Sequence, residues 1–163
     1  QTAFPREKGG AAAIQETWSR GIDSELRADC DERLNRPVLQ ALQAAGNFGH
    51  WSRSQLFVGP SESLSPCHYD QYDNIFLQVA GHKHIVLFEP GAAEGLYPFP
   101  VAHPYDEYAM LDLERADVAA YPRARETLQG NGISATLGPG DYLYIPTHWW
   151  HHVQGSSPPG RPW

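Results

Sequence analysis

Pro66-Cys67-His68-Tyr69-Asp70 leads through a short polar turn into Asn74-Ile75-Phe76-Leu77-Gln78-Val79-Ala80-Gly81. The residues from Asn74 make an apolar strand ended by a glycine, so the His-x-Asp pair sits at the mouth of a strand and not in a polar loop. In an extended chain, side chains i and i+2 point the same way, which puts His68 and Asp70 on one face and Tyr69 on the other. Working outward, His84-Ile85-Val86-Leu87-Phe88 is a second strand, ended by Glu89-Pro90-Gly91, and Gln55-Leu56-Phe57-Val58 is an earlier one that reaches the pair through Gly59-Pro60. Gly138-Pro139-Gly140-Asp141 has the composition of a turn, and Tyr142-Leu143-Tyr144-Ile145-Pro146 follows as another strand, running on into Thr147-His148-Trp149-Trp150-His151-His152. Short strands punctuated by Gly and Pro indicate a barrel or sandwich.

His68 and Asp70 can chelate one ion, and a third ligand must come from elsewhere. His148, His151 and His152 are the candidates; if Trp150 to Val153 is extended, His151 and His152 point to opposite faces and only one of them enters the barrel. Two imidazoles and one carboxylate on one face of a metal leave positions open for other ligands, the pattern of non-haem Fe(II) oxygenases. Taken alone, a His-x-Asp pair is more often an ordinary loop feature, and the other histidine is then a packed or solvent-facing side chain. The aromatic residues Tyr69, Phe76, Tyr144, Trp149 and Trp150 either wall a pocket or simply fill the core.

Length and composition set the outer limits. The 163 residues suit one domain with a core of its own, and 41% hydrophobic and 12% aromatic residues suit a globular protein without a membrane span. With 12 Lys and Arg against 19 Asp and Glu, the net charge of −7 argues against a nucleic acid as the main partner. Cys30 and Cys67 follow no metal or disulfide spacing, which fits a reducing, intracellular compartment, cytoplasmic or nuclear. Along the chain, residues 1–50 are expected to be helical: Ile14, Trp18, Ile22 and Leu26 recur every fourth position, and a second helix starts near Asn35 and Pro37 and ends at Gly46-Asn47. Residues 55–153 then hold the barrel core, interrupted by a long segment, 91–131, rich in Pro, Tyr and acidic residues, of the kind that often forms a functional lid.

Ser65 to Asp70, Asn74 to Lys83, Leu96-Tyr97-Pro98-Phe99-Pro100-Val101 with His103-Pro104, and Gly138 through His152 occur in the order in which the Jumonji C class of 2-oxoglutarate-dependent oxygenases carries similar pieces. The chain resembles that family, and within it the asparaginyl-hydroxylase branch, from about Gln55 to Val153. The resemblance implies a double-stranded β-helix, a jelly-roll or cupin-like barrel with N-terminal helices. It implies Fe(II) held by His68, Asp70 and His151, with 2-oxoglutarate and O2 as cosubstrates. Lys83 then pairs with the distal carboxylate of 2-oxoglutarate, Ser65 donates a hydroxyl to the same carboxylate, and Asn74 lies near its metal-binding end. Tyr69, Glu107 and Tyr108 are the substrate-binding candidates.

The pattern also differs from that family. A tyrosine that hydrogen-bonds 2-oxoglutarate falls at Ala13, and an Arg-Gln pair that grips a target asparagine corresponds to Glu107-Tyr108, which reverses a charge. The chain begins with Gln and stops at Gly160-Arg161-Pro162-Trp163, so an upstream part and the last barrel strand are expected to be absent, together with the helices through which a homodimer would form. The expectation is one domain over residues 1–163 that hydroxylates a protein or peptide side chain. Its rivals are a hydroxylase of another residue or of RNA, a histone-lysine demethylase, and a catalytically silent cupin-like binding module.

Overall fold

The computed structural model describes residues 14–17, 36–49, 55–130 and 132–156. Two compact units emerge, Ala13–Gly59 and the chain from Pro60 onward. In the first, β1 (Ile14–Thr17) pairs antiparallel with β2 (Gln55–Val58), Ile14 lying opposite Val58. The helix expected at Ile14 is therefore a strand. Ile14 and Thr17 are β-branched and suit the pleated pairing, which overrides a four-residue spacing; Trp18, Ile22 and Leu26 lie outside the described residues. The second helix forms as expected: α1 (Arg36–Ala45) has Pro37 in its first turn, where a missing N–H costs nothing. It closes where Gly46 and Phe48 donate to the carbonyls of Leu42 and Gln43, with Asn47 at φ 51° turning the chain out.

The second unit is mainly antiparallel β. Its strands are β3 (Leu64–Tyr69), β4 (Asn74–Leu77), β5 (His82–Phe88), β6 (Gly132–Leu137), β7 (Tyr142–Ile145) and β8 (Trp150–Ser156). One sheet has the order β3-β8-β5-β6, and β4 pairs with β7 in a second. Ile85, Leu87, Leu137, Ile145 and Val153, from both sheets, make one core together with Phe76, Leu143 and Trp149. β6 is a strand that the sequence reading did not single out, although Ile133, Ala135 and Leu137 alternate; it pairs with β5 along its length.

The run from Tyr142 to His152 is two strands and not one. After Ile145 the chain leaves the two-stranded sheet, passes through His148 at φ 62°, and enters the four-stranded sheet at Trp150. The outer face of that larger sheet is covered as well. A second core of Cys67, Phe88, Ala92, Leu96, Leu111, Ala124 and Trp150 packs there, supplied by a 3-10 turn (Pro90–Ala92), α2 (Ala93–Leu96) and α3 (Ala124–Gly130). Gly95 lets α2 and α3 approach: a Cβ there would lie 1.8 Å from Thr127 Oγ1. Burial on both faces explains why His151, His152 and Val153 are all buried in succession where a one-sided strand would alternate. Among the described residues, no helix is long and apolar enough to cross a membrane.

Candidate metal centre

β3 and β8 are neighbours, and their register places His68 directly across from His151. Asp70 follows β3 two residues after His68, so the i, i+2 rule brings its carboxylate to the same side. One ligand atom from each of His68, Asp70 and His151 lies within 4.8 Å of the others, the only such group of three or more His, Cys, Asp or Glu among the described residues. The Nε2 of His151 is 3.6 Å from Asp70 Oδ2, and the two imidazole centroids are 4.2 Å apart.

The tautomers follow from the partners. His68 Nδ1 lies 2.7 Å from the carbonyl oxygen of Pro66, and His151 Nδ1 lies 3.0 Å from that of Trp149. A carbonyl only accepts, so each Nδ1 carries the proton, and in the neutral ring each Nε2 keeps a free lone pair. Each histidine is thus oriented by a backbone carbonyl two residues before it. Burial, and then the neighbouring His68, push the His151 pKa down to about 4, against the smaller opposing pull of the Trp149 carbonyl and Asp70. A neutral His151 next to a carboxylate and a second imidazole is the donor set of a divalent transition-metal site, and the three residues fit one.

Asp70 is held through both its side chain and its backbone. Asn74 Nδ2 donates to Asp70 Oδ2 at 2.7 Å, and the His148 N–H donates to the Asp70 carbonyl at 2.9 Å. Asp73 ties the same turn to β7, accepting from the Tyr144 hydroxyl at 2.7 Å and from the Thr147 N–H at 3.0 Å. Asn74, expected near a cosubstrate, thus lies beside the ligand group as a support for Asp70. His148, one of three candidates for the third ligand, is exposed and gives its backbone to the site, while its ring lies over Tyr69.

Lys83 and Ser65 share the inner face with the ligand group. Lys83 alternates with Ile85 and Leu87, and Leu87 pairs with His151, so Lys83 stands about 13 Å along the sheet from the row of His151. It is half-buried, its Nζ lies 3.4 Å from Ser63 Oγ, and burial lowers its pKa. Ser65 lies opposite Val153 on the same face.

The segment 97–110 is not a free lid. Tyr97 to Phe99 pair with Tyr108 to Met110, the Phe99 N–H donating to the Tyr108 carbonyl and the Met110 N–H to that of Tyr97, and the second arm pairs with the edge of β3, where the Tyr69 N–H donates to the Glu107 carbonyl and the Ala109 N–H to that of Cys67. This irregular hairpin lays the Tyr108 ring on His68, with centroids 5.1 Å apart and planes 20° from parallel. Burial, then the charges of Asp70 and Glu107, raise the Tyr108 phenol pKa. Glu107 itself opposes Tyr69, and its carboxylate accepts from Gln71 Nε2 at 2.8 Å. Of Tyr69, Glu107 and Tyr108, the structure brings Tyr108 to the ligand group and turns Tyr69 and Glu107 to the reverse side of β3.

His152 settles on the outer face, its Nε2 3.3 Å from Glu114 Oε1. Its pKa is lowered by burial, with the Glu114 hydrogen bond opposing. Glu114 was not singled out in the sequence, because its partner lies 38 residues away and no local spacing links them.

A family model described as a cupin-like domain matches residues 5–160. The chain belongs to the cupin-like domain family. Among curated proteins, this cupin-like chain is 33% identical over 124 residues to a lysine-specific demethylase, JMJ31, of Arabidopsis thaliana, covering 76% of the chain and 21% of that protein. It is 34% identical over 109 residues to human HSPB1-associated protein 1, 64% of the chain and 21% of the relative. It is also 34% identical over 102 residues to the Jumonji C domain-containing protein 5 of Drosophila melanogaster, 63% of the chain and 24% of the relative. The chain therefore spans under a quarter of each relative's length.

Proposed function

We propose that this cupin-like chain is an Fe(II)- and 2-oxoglutarate-dependent dioxygenase that hydroxylates a protein side chain, built on a double-stranded β-helix. The observation that carries the reading is the convergence of two Nε2 lone pairs and one carboxylate, each orienting hydrogen bond already made. The Jumonji C and demethylase names of the relatives support the same class of chemistry. His68, Asp70 and His151 would hold the iron, and 2-oxoglutarate would run from there toward Lys83 and Ser65. Bound together, iron, 2-oxoglutarate and O2 supply oxidising power for an unactivated C–H bond, with succinate and CO2 as the other products.

The chain's own residues contribute position and protonation state. The carbonyls of Pro66 and Trp149 keep both imidazoles in the ligand tautomer. Asn74 holds one carboxylate oxygen of Asp70, and the apolar core of Ile85, Leu87, Ile145 and Val153 excludes water behind the ligands. The half-buried ammonium of Lys83 calls for an anion, and a dicarboxylate supplies one. Tyr108 overhangs His68, where it can touch a substrate side chain. Asparagine leads the candidates through the asparaginyl-hydroxylase resemblance, with His, Arg and Lys as rivals, on a protein or peptide substrate inside the cell.

Conversion of 2-oxoglutarate to succinate by the purified chain, dependent on Fe(II) and abolished by Asp70→Ala, is the test. Candidate peptides are then examined by mass spectrometry for a gain of about 16 Da. Loss of a methyl group with formaldehyde release would instead mark a demethylase, and activity retained in Asp70→Ala would overturn the site assignment.

A further inference from the structure

The reverse side of β3 carries a feature that the metal chemistry does not use. Tyr69, Pro90, Ala93, His148 and Trp150 line an apolar depression of about 170 Å³. Three of these residues are rings set at steep angles to one another: Tyr69 meets Trp150 edge-on, with centroids 4.8 Å apart and planes at 79°, and His148 lies 5.6 Å from Tyr69 at 57°. Trp150, only 3% exposed, is the floor, and exposed His148 is the rim. Glu107 opposes Tyr69 across the strand pair, which puts it on the same side, and its carboxylate accepts from Gln71 Nε2.

We propose that this depression is a docking subsite for a cationic side chain, a lysine or an arginine presented by a polypeptide. Aromatic rings lining a depression attract a cation through their quadrupoles, and apolar walls accept the methylene stem of a long basic side chain. The Glu107 carboxylate on the same side of β3 adds charge complementarity, which an uncharged apolar guest would not exploit. Binding here does not depend on the metal. Tyr69 joins the two sites, since it stands between ligands His68 and Asp70 and faces the other way. A chain held at the depression is therefore anchored within one strand's thickness of the metal row.

Four short peptides of otherwise identical sequence test this, carrying one lysine, arginine, norleucine or glutamate, titrated into the full chain without metal while the Trp150 indole N–H resonance is followed. Lysine and arginine peptides should move that resonance and bind about tenfold more tightly than the norleucine peptide at low salt, with the difference shrinking at high salt. Glu107→Gln keeps an acceptor for Gln71, removes the charge, and should lower the preference several-fold. His148→Gly suits the positive φ, removes one ring without touching the core, and should weaken both basic peptides. The proposal is overturned if the norleucine peptide binds equally well, if Glu107→Gln leaves the preference unchanged while the variant melts normally, or if neither basic peptide binds at millimolar concentration. Because no turnover is measured, failure of the dioxygenase reading leaves this result standing, and the reverse also holds.

Discussion

The two faces of β8 carry adjacent histidines with different surroundings. On the inner face, His151 gives its Nδ1 proton to a backbone carbonyl and turns a free Nε2 toward Asp70 and His68. On the outer face, His152 has its Nε2 engaged by Glu114 under a cover of helices and loop. Both residues are 5% exposed, so burial does not distinguish them. The partners do. A histidine whose second nitrogen meets two further donors is poised for a metal, whereas one that meets a single carboxylate completes a packed layer.

If the inner face is for binding and the outer for support, substitutions inside should change affinities and those outside should change stability. The largest inner effect after loss of a ligand is expected at Lys83. Lys83→Met keeps the stem and removes the ammonium, and should weaken 2-oxoglutarate about 30-fold, the equivalent of about 2 kcal/mol, with little change in melting temperature. Calorimetric titration of the metal-loaded protein measures this, and unchanged affinity would place Lys83 outside the cosubstrate site. Asn74→Ala removes the bond that orients Asp70 and should lower metal affinity about tenfold, seen by competition against a chromophoric chelator.

On the outer side, Gly95→Ala forces a methyl into Thr127 where α2 meets α3. It should cost about 1–3 kcal/mol of stability in denaturant titrations while metal affinity per folded molecule stays the same. A fall in metal affinity without loss of stability would break the division between the faces.

A pH effect joins both faces. His151, pushed down to about 4, and His152, also lowered, bind protons less readily in the folded than in the unfolded chain. As pH falls below about 6.5 the unfolded state takes up protons first, so their contribution is complete above that pH and is lost toward about pH 4. The melting temperature of the metal-free protein should decline over that window, and less steeply in His151→Gln. A flat profile would mean that neither ring is held neutral by the fold.

The parts of this division legible in the sequence are those set by period two. His68 and Asp70 share a face because one residue separates them, and the same rule says that His151 and His152 cannot both point inward. It does not say which one does. That choice depends on the pairing of β8 with β3 and on Glu114, both contacts between distant segments. The N-terminal helix reading failed at Ile14 for a related reason, since pairing with Gln55–Val58 outweighs local spacing. The hairpin at 97–110 was hidden because Pro98, Pro100 and Pro104 break any strand pattern, yet the His68–Tyr108 bridge and two backbone hydrogen bonds suffice to hang it on β3. Glu107 and Tyr108 looked like one gripping pair in the sequence, but extended backbone sends adjacent side chains to opposite sides.

The most direct measurement is an anaerobic Fe(II) titration of the native protein alongside His151→Ala and His152→Ala, with a folding check on each. One equivalent should bind to the native chain and to His152→Ala, whereas His151→Ala should lose more than about 100-fold in affinity, beyond what removal of an outer support costs. Full binding by His151→Ala, or its loss in a folded His152→Ala, would contradict the assignment of the inner face as the metal site.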